Sequence, residues 1–390
     1  MPRKVMAVYG TRPEAIKVAP VVQAMQQSPH LDPVVVVTGQ HRQMLDQVNS
    51  LFGIVPDHDL DIISSRQSLE DITTRTLQGL APLMERERPE LVLVQGDTTT
   101  CFAAALSAFY HRVPVVHLEA GLRTDNPYNP FPEEVNRRLT TQLASLHLAP
   151  TSTSRENLIA SGVPGRGIVT TGNTVIDALL DVVAREAPFS LPELKRLDGR
   201  RCVLITSHRR ESWGEPMRNS GNAIRRLAQL FGDVLFVLPV HLNPVVRDVL
   251  LPLLSDLPNV LITDPLDYGD FARCMSLSDV VLTDSGGVQE EAPSLGKPVL
   301  VMRETTERPE AVTAGTVRLV GTDEQTIVDE VTRLLTDQHA YARMARAVNP
   351  YGDGQAANRS VAAMEHFFGC AGRPAEFEPE RAVPNHSDHP

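Results

Sequence analysis

The chain has 390 residues, of which 42% are hydrophobic and 22% charged, and its formal net charge is −11. The length favours two cores over one, and the composition is that of an ordinary globular chain. The negative charge excludes nucleic-acid or anionic-membrane binding by bulk attraction, so an anionic ligand needs local Arg and Lys clusters.

Read in chain order, the first half alternates apolar strands with amphipathic stretches. Strands are expected at residues 4–9, 33–38, 91–94, 113–118, 146–149 and 167–171, with helices at 15–27, 69–87 and 99–111. The second half repeats the scheme, with strands at 201–206, 234–240, 260–263, 280–283, 299–302 and 316–320. Near-continuous Val/Ile/Leu strands separated by helices imply parallel sheets covered on both faces. The expectation is α/β: two Rossmann-like, doubly wound domains facing a cleft. The boundaries expected are 1–172 for the first domain and 173–370 for the second, with the last helix packing back on the first. Residues 371–390, rich in Pro, Glu and His, are expected to be a disordered tail.

The four cysteines, Cys101, Cys202, Cys274 and Cys370, form no C-x-x-C and suit neither zinc nor a disulfide framework. No metal site is expected. Met1 leads straight into an apolar strand without a signal-peptide pattern. No apolar run approaches the roughly 18 residues that span a bilayer. A reduced, cytoplasmic setting is the expectation.

Polar motifs follow almost every strand, where ligands bind in open α/β sheets. Gly10-Thr-Arg-Pro-Glu-Ala-Ile-Lys17 places Arg12 and Lys17 around a helix start, in reach of a phosphate or simply as loop cations. Asp97 precedes three threonines, as an acid/base group or an N-cap. Glu119 directly follows an apolar strand, where partial desolvation suits a carboxylate to proton transfer. Glu133 and Arg137 are spaced for one helix face, which also fits a plain surface ion pair. His208 stands beside Arg209 and Arg210, either as a neutral base or as a structural histidine. In Ser285-Gly-Gly-Val-Gln-Glu-Glu291 a strand, a glycine turn and a helix start present amides to an anion. Glu290 or Glu291 there can reach ribose hydroxyls. Arg308 either closes on a diphosphate or lies exposed. No G-x-G-x-x-G, G-x-x-x-x-G-K-[ST] or H-E-x-x-H occurs, so nicotinamide redox, P-loop chemistry and zinc hydrolysis are disfavoured. No cofactor is expected.

These motifs, with Glu119-Ala-Gly-Leu-Arg123, Ser207-His-Arg-Arg-Glu211, Pro239-Val-His-Leu-Asn-Pro244, Thr305-Thr-Glu-Arg-Pro-Glu310 and Asn349-Pro-Tyr-Gly-Asp-Gly354, closely resemble bacterial non-hydrolysing UDP-N-acetylglucosamine 2-epimerases over about residues 3 to 368. The resemblance implies a glycosyltransferase B type fold, usually a homodimer. It implies interconversion of UDP-N-acetylglucosamine and UDP-N-acetylmannosamine, by elimination of UDP and re-addition, for surface polysaccharide. By it, Arg12, Lys17, Asp97, Glu119, His208, Ser285, Gly286, Gly287, Glu291 and Arg308 line the nucleotide-sugar site, and Leu266 and Phe271 hold uracil. Asp97, Glu119 and Glu133 become the acid/base carboxylates, with Arg137 and His208 near the diphosphate. Gln40, Gln43, Arg66, Arg209 and His241 become a second, allosteric nucleotide-sugar site. A hydrolysing epimerase, a retaining glycosyltransferase and a non-catalytic nucleotide-sugar sensor remain as alternatives.

Overall fold

The computed structural model describes residues 1–39, 42–63, 67–124, 126–209 and 212–379, with Arg42 and Gln43 described by backbone alone. The chain forms two compact units, Met1–Ala178 with Tyr351–Glu378, and Leu179–Pro350.

The first unit is built on seven parallel strands: β1 Arg3–Tyr9, β2 Leu31–Val37, β3 His58–Asp59, β4 Leu91–Gln95, β5 Val115–Leu118, β6 Leu146–Ala149 and β7 Ile168–Thr170. Their order is β3-β2-β1-β4-β5-β6-β7. Val5 to Tyr9 in β1 and Leu91 to Val94 in β4 are wholly buried, which is why both strands read as unbroken apolar runs. Register pairs Val8 with Val36 on one side and Val94 on the other. Helix Thr99–Tyr110 lays Cys101, Ala104, Ala105 and Ala108 against this core. Its small residues let the helix approach the sheet closely.

The second unit repeats the plan with β8 Cys202–Thr206, β9 Leu235–Pro239, β10 Val260–Thr263, β11 Val280–Thr283, β12 Val299–Val301 and β13 Val317–Leu319, ordered β10-β9-β8-β11-β12-β13. In both sheets the order reverses direction between the first strand and the fourth, β1/β4 and β8/β11. These are the switch points where an open parallel sheet leaves a crevice beyond its strand ends.

Two boundaries differ from expectation. Residues 173–178 belong to the first unit, not the second, while the helix Ala356–Phe367 packs on the first unit as expected. Ser28 Oγ donates to Glu365 at 2.6 Å, fastening that helix to the end of Arg12–Gln27. Residues 371–378, expected to be part of a disordered tail, are also placed in the first unit. Residues 373–377 close the open edge of β7: Phe377 N donates to Thr170 O at 2.7 Å, and Thr170 N donates to Glu376 at 3.2 Å. Phe377 is buried, with the Arg359 guanidinium 5.5 Å from its ring. A polar average over twenty residues concealed one apolar anchor beside unpaired strand groups. Phe377→Ala is expected to lower unfolding free energy by about 3 kcal/mol, the usual cost of emptying a buried aromatic site. Denaturant titration measures it, and an unchanged midpoint contradicts the packing role.

Two buried histidines sit side by side in register, His117 on β5 and His147 on β6. Burial lowers the His117 ring to about 4 despite its 2.7 Å hydrogen bond to Gly96 O. Burial, then repulsion from His117, lowers His147 to about 3. The unfolded rings take up protons near pH 6.5 and the folded ones do not. Their contribution is therefore complete above pH 6.5 and declines as pH falls towards 4. Asp177, raised by burial to about 6, works in the opposite sense below that pH. Between pH 7.5 and 5 each histidine is expected to remove about 2 kcal/mol of stability. His147→Gln is expected to flatten the measured pH slope; an identical slope in both proteins contradicts this.

Candidate functional site

In the first unit, Glu119 follows β5 with φ 62°, a left-handed conformation that a residue with a side chain rarely adopts. This turn delivers the carboxylate to the β1/β4 crevice, where it is 9% exposed. Lys17 Nζ lies 2.6 Å from both carboxylate oxygens. Gln95, the last residue of β4, donates to Oε2, and Asn173 Nδ2 donates to Oε1 at 3.0 Å. The result is a carboxylate gripped by a cation and two amides.

Around it, Asp97 Oδ2 accepts from Arg137 Nη2 at 2.7 Å, and Asn136 Nδ2 holds the Asp97 carbonyl at 3.0 Å. The Arg137 guanidinium also lies 3.4 Å from buried Glu134, while its Nε is buried without a partner. The plain Glu133–Arg137 surface pair is not formed among the described residues; the Asp97 carboxylate holds the cation instead. Glu133 begins helix Glu133–Leu143, and no ion pair engages it among the described residues.

Glu14 ties the loops together. Its Oε2 accepts from Gly10 N and Thr11 N at 3.0 and 2.8 Å, and its Oε1 accepts from Thr98 Oγ1 at 2.6 Å. Burial pushes its carboxyl up, and these hydrogen bonds oppose that. A Cβ at Gly10 would stand 2.1 Å from Thr38 Oγ1, so only glycine passes there. Arg12, in the first turn of its helix, makes no ion pair among the described residues. It remains available to an anion.

In the second unit, fully buried Asp284 organises the ends of β8 and β11. Oδ2 accepts from His208 N at 2.8 Å, Arg209 N at 2.9 Å and Ser207 Oγ at 3.3 Å. Oδ1 lies 3.1 Å from His208 Nδ1. Burial pushes this carboxyl up, but the His208 ring and the two amides outweigh it and leave it lowered. The His208 side chain is 42% exposed, and the His241 ring is stacked 6.2 Å away.

The glycine turn follows. Helix Gly286–Glu291 starts after Ser285, whose side chain does not cap it. A Cβ on Gly286 would reach Arg209 Nη2 at 3.4 Å, and one on Gly287 would reach Glu291 Oε1 at 3.3 Å. The Arg209 guanidinium therefore lies over the turn and the Glu291 carboxylate beside it. Tyr268 OH donates to Glu291 Oε2 at 3.2 Å. Tyr268 shares a helical turn with Phe271 and follows buried Leu266, so segment 266–271 adjoins the glycine turn. Arg308 is not exposed: its Nε is held by the buried carboxylate of Glu290. That leaves Glu291, rather than Glu290, as the carboxylate beside the turn. Gln40 and Arg66 lie outside the described residues, as does the side chain of Gln43.

Sequence reasoning missed Gln95, Asn173, Glu14, Tyr268 and the role of Asp284. Each is a residue type common at strand ends and caps, and each matters through a partner distant in the chain. Among the described residues no helix is long and apolar enough to cross a membrane.

A sequence profile of the UDP-N-acetylglucosamine 2-epimerase family matches residues 23–365. The UDP-N-acetylglucosamine 2-epimerase of Escherichia coli K12 is 53% identical over 376 residues, 93% of this chain and 98% of that one. The crystal structure of the Neisseria meningitidis UDP-GlcNAc 2-epimerase bound to UDP-GlcNAc is similar with a TM-score of 0.85, 48% identity, and 93% and 100% of the two chains covered. That of the Methanocaldococcus jannaschii enzyme with UDP-GlcNAc and UDP has a TM-score of 0.75 and 29% identity, covering 93% and 99%. The paired parallel sheets are thus those of the glycosyltransferase B type, and the chain belongs to the UDP-N-acetylglucosamine 2-epimerase family.

Proposed function

We propose that this protein interconverts UDP-N-acetylglucosamine and UDP-N-acetylmannosamine without hydrolysis, supplying N-acetylmannosamine units for surface polysaccharide. The observation that carries this reading is the caged Glu119 carboxylate beside the Asp97–Arg137 pair, in a family whose Neisseria member binds UDP-GlcNAc.

The C2 hydrogen of the sugar has no adjoining carbonyl, so direct abstraction is unfavourable. If a base takes the C2 proton as the C1–O bond breaks, its electron pair leaves on UDP and a C1–C2 double bond forms. The product pair is 2-acetamidoglucal and UDP. Re-addition of UDP with a proton delivered to the opposite face of C2 gives the epimer. This route needs acid/base groups for both faces, a role that Asp97, Glu119 and Glu133 fill. It also needs cations where charge develops on the leaving diphosphate. Arg12, Arg137, His208 and Arg308 are assigned there, with Lys17, Ser285, Gly286 and Gly287. Glu291 takes the ribose, and Leu266 and Phe271 take the uracil. We also read the exposed Phe109, Tyr110, Val135 and Leu139 as a homodimer surface.

Turnover in deuterium oxide without added cofactor is expected to place deuterium at C2 of both epimers. Retention of the original hydrogen contradicts the route, and accumulation of free N-acetylmannosamine points instead to a hydrolysing enzyme. Asp97→Asn, Glu119→Gln and Glu133→Gln are each expected to lower kcat by about a hundred- to ten-thousandfold. Near-normal kcat removes that residue from the acid/base set.

The stacked His208 and His241, with Arg209 over the glycine turn, support the second nucleotide-sugar site. Pure UDP-N-acetylmannosamine is expected to turn over slowly until a trace of UDP-N-acetylglucosamine is added, and His241→Ala to weaken that activation. A full initial rate without the trace excludes a regulatory site.

A further inference from the structure

The segment through which the chain leaves the first unit touches both halves of the Lys17–Glu119 pair. Asn173 Nδ2 donates to Glu119 Oε1 at 3.0 Å, and Thr174 Oγ1 donates to the Lys17 carbonyl at 2.6 Å. Asn173 has no freedom to turn away. Its Oδ1 accepts from Val175 N at 3.1 Å, which fixes Nδ2 towards Glu119. Its own amide donates to Tyr351 O at 2.7 Å, and it is 3% exposed. Gly172, at φ 84°, brings the backbone so close to Gly352 that a Cβ would stand 3.4 Å from the Gly352 Cα. The first unit's chain runs on only to Ala178 before entering the second unit.

We propose that Asn173 is a positioning residue for Glu119, setting the carboxylate from the crossover segment while Thr174 anchors the backbone of Lys17. A donor to a carboxylate favours its ionised form and fixes its orientation. Glu119 also needs support because its backbone is left-handed and relaxes readily without side-chain restraint. The inference rests on the reading of Glu119 as an acid/base group.

The test uses Asn173→Asp and Asn173→Ser in the full chain. Both keep an acceptor at the helix start, as Asp and Ser are good N-caps; Asp has no donor for Glu119, and the shorter Ser hydroxyl does not span the distance that the Asn173 amide covers. With UDP-N-acetylglucosamine, kcat is expected to fall about tenfold to a hundredfold, the scale of one hydrogen bond to a charged group. KM is expected to change by less than about threefold, because the contact acts in the chemical step. In a Glu119→Gln background the same substitutions are expected to lower kcat no further, since positioning acts only through the carboxylate. Wild-type kcat in both variants overturns the proposal, as does a full additional loss in the Glu119→Gln background. If neither variant keeps the wild-type melting temperature, Asn173 is a structural cap and the proposal falls. If the wild-type chain itself does not epimerise, that arm alone shows that the functional reading has failed, and the positioning role falls with it.

Discussion

The buried Glu119 carboxylate is the constraint around which the first unit is arranged. Its backbone sits in a region that costs about 1–3 kcal/mol for a residue with a side chain, and such strain persists only when the surroundings over-determine it. Here they do. Lys17 comes from the helix after β1, Gln95 from the end of β4 and Asn173 from the crossover. None of these contacts forms unless the three segments are already in place. Removing one partner of a buried ion pair typically costs about 3–5 kcal/mol, because the other charge is left stranded. The cage therefore couples the folding of this region to the placement of the Glu119 carboxylate.

The second unit uses the same device with a different outcome. Asp284 is also a buried carboxylate at a strand end, but its partners are mostly backbone amides. It orders the loop after β8 and orients one ring, instead of standing ready for proton transfer itself. Glu290 does likewise for Arg308, and Tyr268 for Glu291.

The sheets were legible because parallel strands buried on both faces leave unbroken apolar runs, as in Val5 to Tyr9. The site was legible in outline because strand ends carry ligands, and Lys17, Asp97 and Glu119 each follow such a run. What escaped was pairing. Helical spacing joined Arg137 to Glu133, yet the stronger partner, Asp97, lies 40 positions away in sequence. Asn173 stood at the expected start of the second domain, and its partner Glu119 is 54 positions distant. Residues 371–378 looked unable to order because composition averages over Phe377 and cannot register the open edge of β7 that it covers.

In the proposed reaction the sugar–oxygen bond breaks while UDP stays bound. Positional isotope exchange tests it most directly. UDP-N-acetylglucosamine carrying heavy oxygen in the bridge between C1 and the β-phosphorus is incubated with the protein, and phosphorus NMR follows the label. If the bond breaks and re-forms, the label migrates from the bridge to the non-bridging β-phosphate positions as the epimer appears. If the epimer forms while all the label stays in the bridge, UDP never departs and the account is wrong.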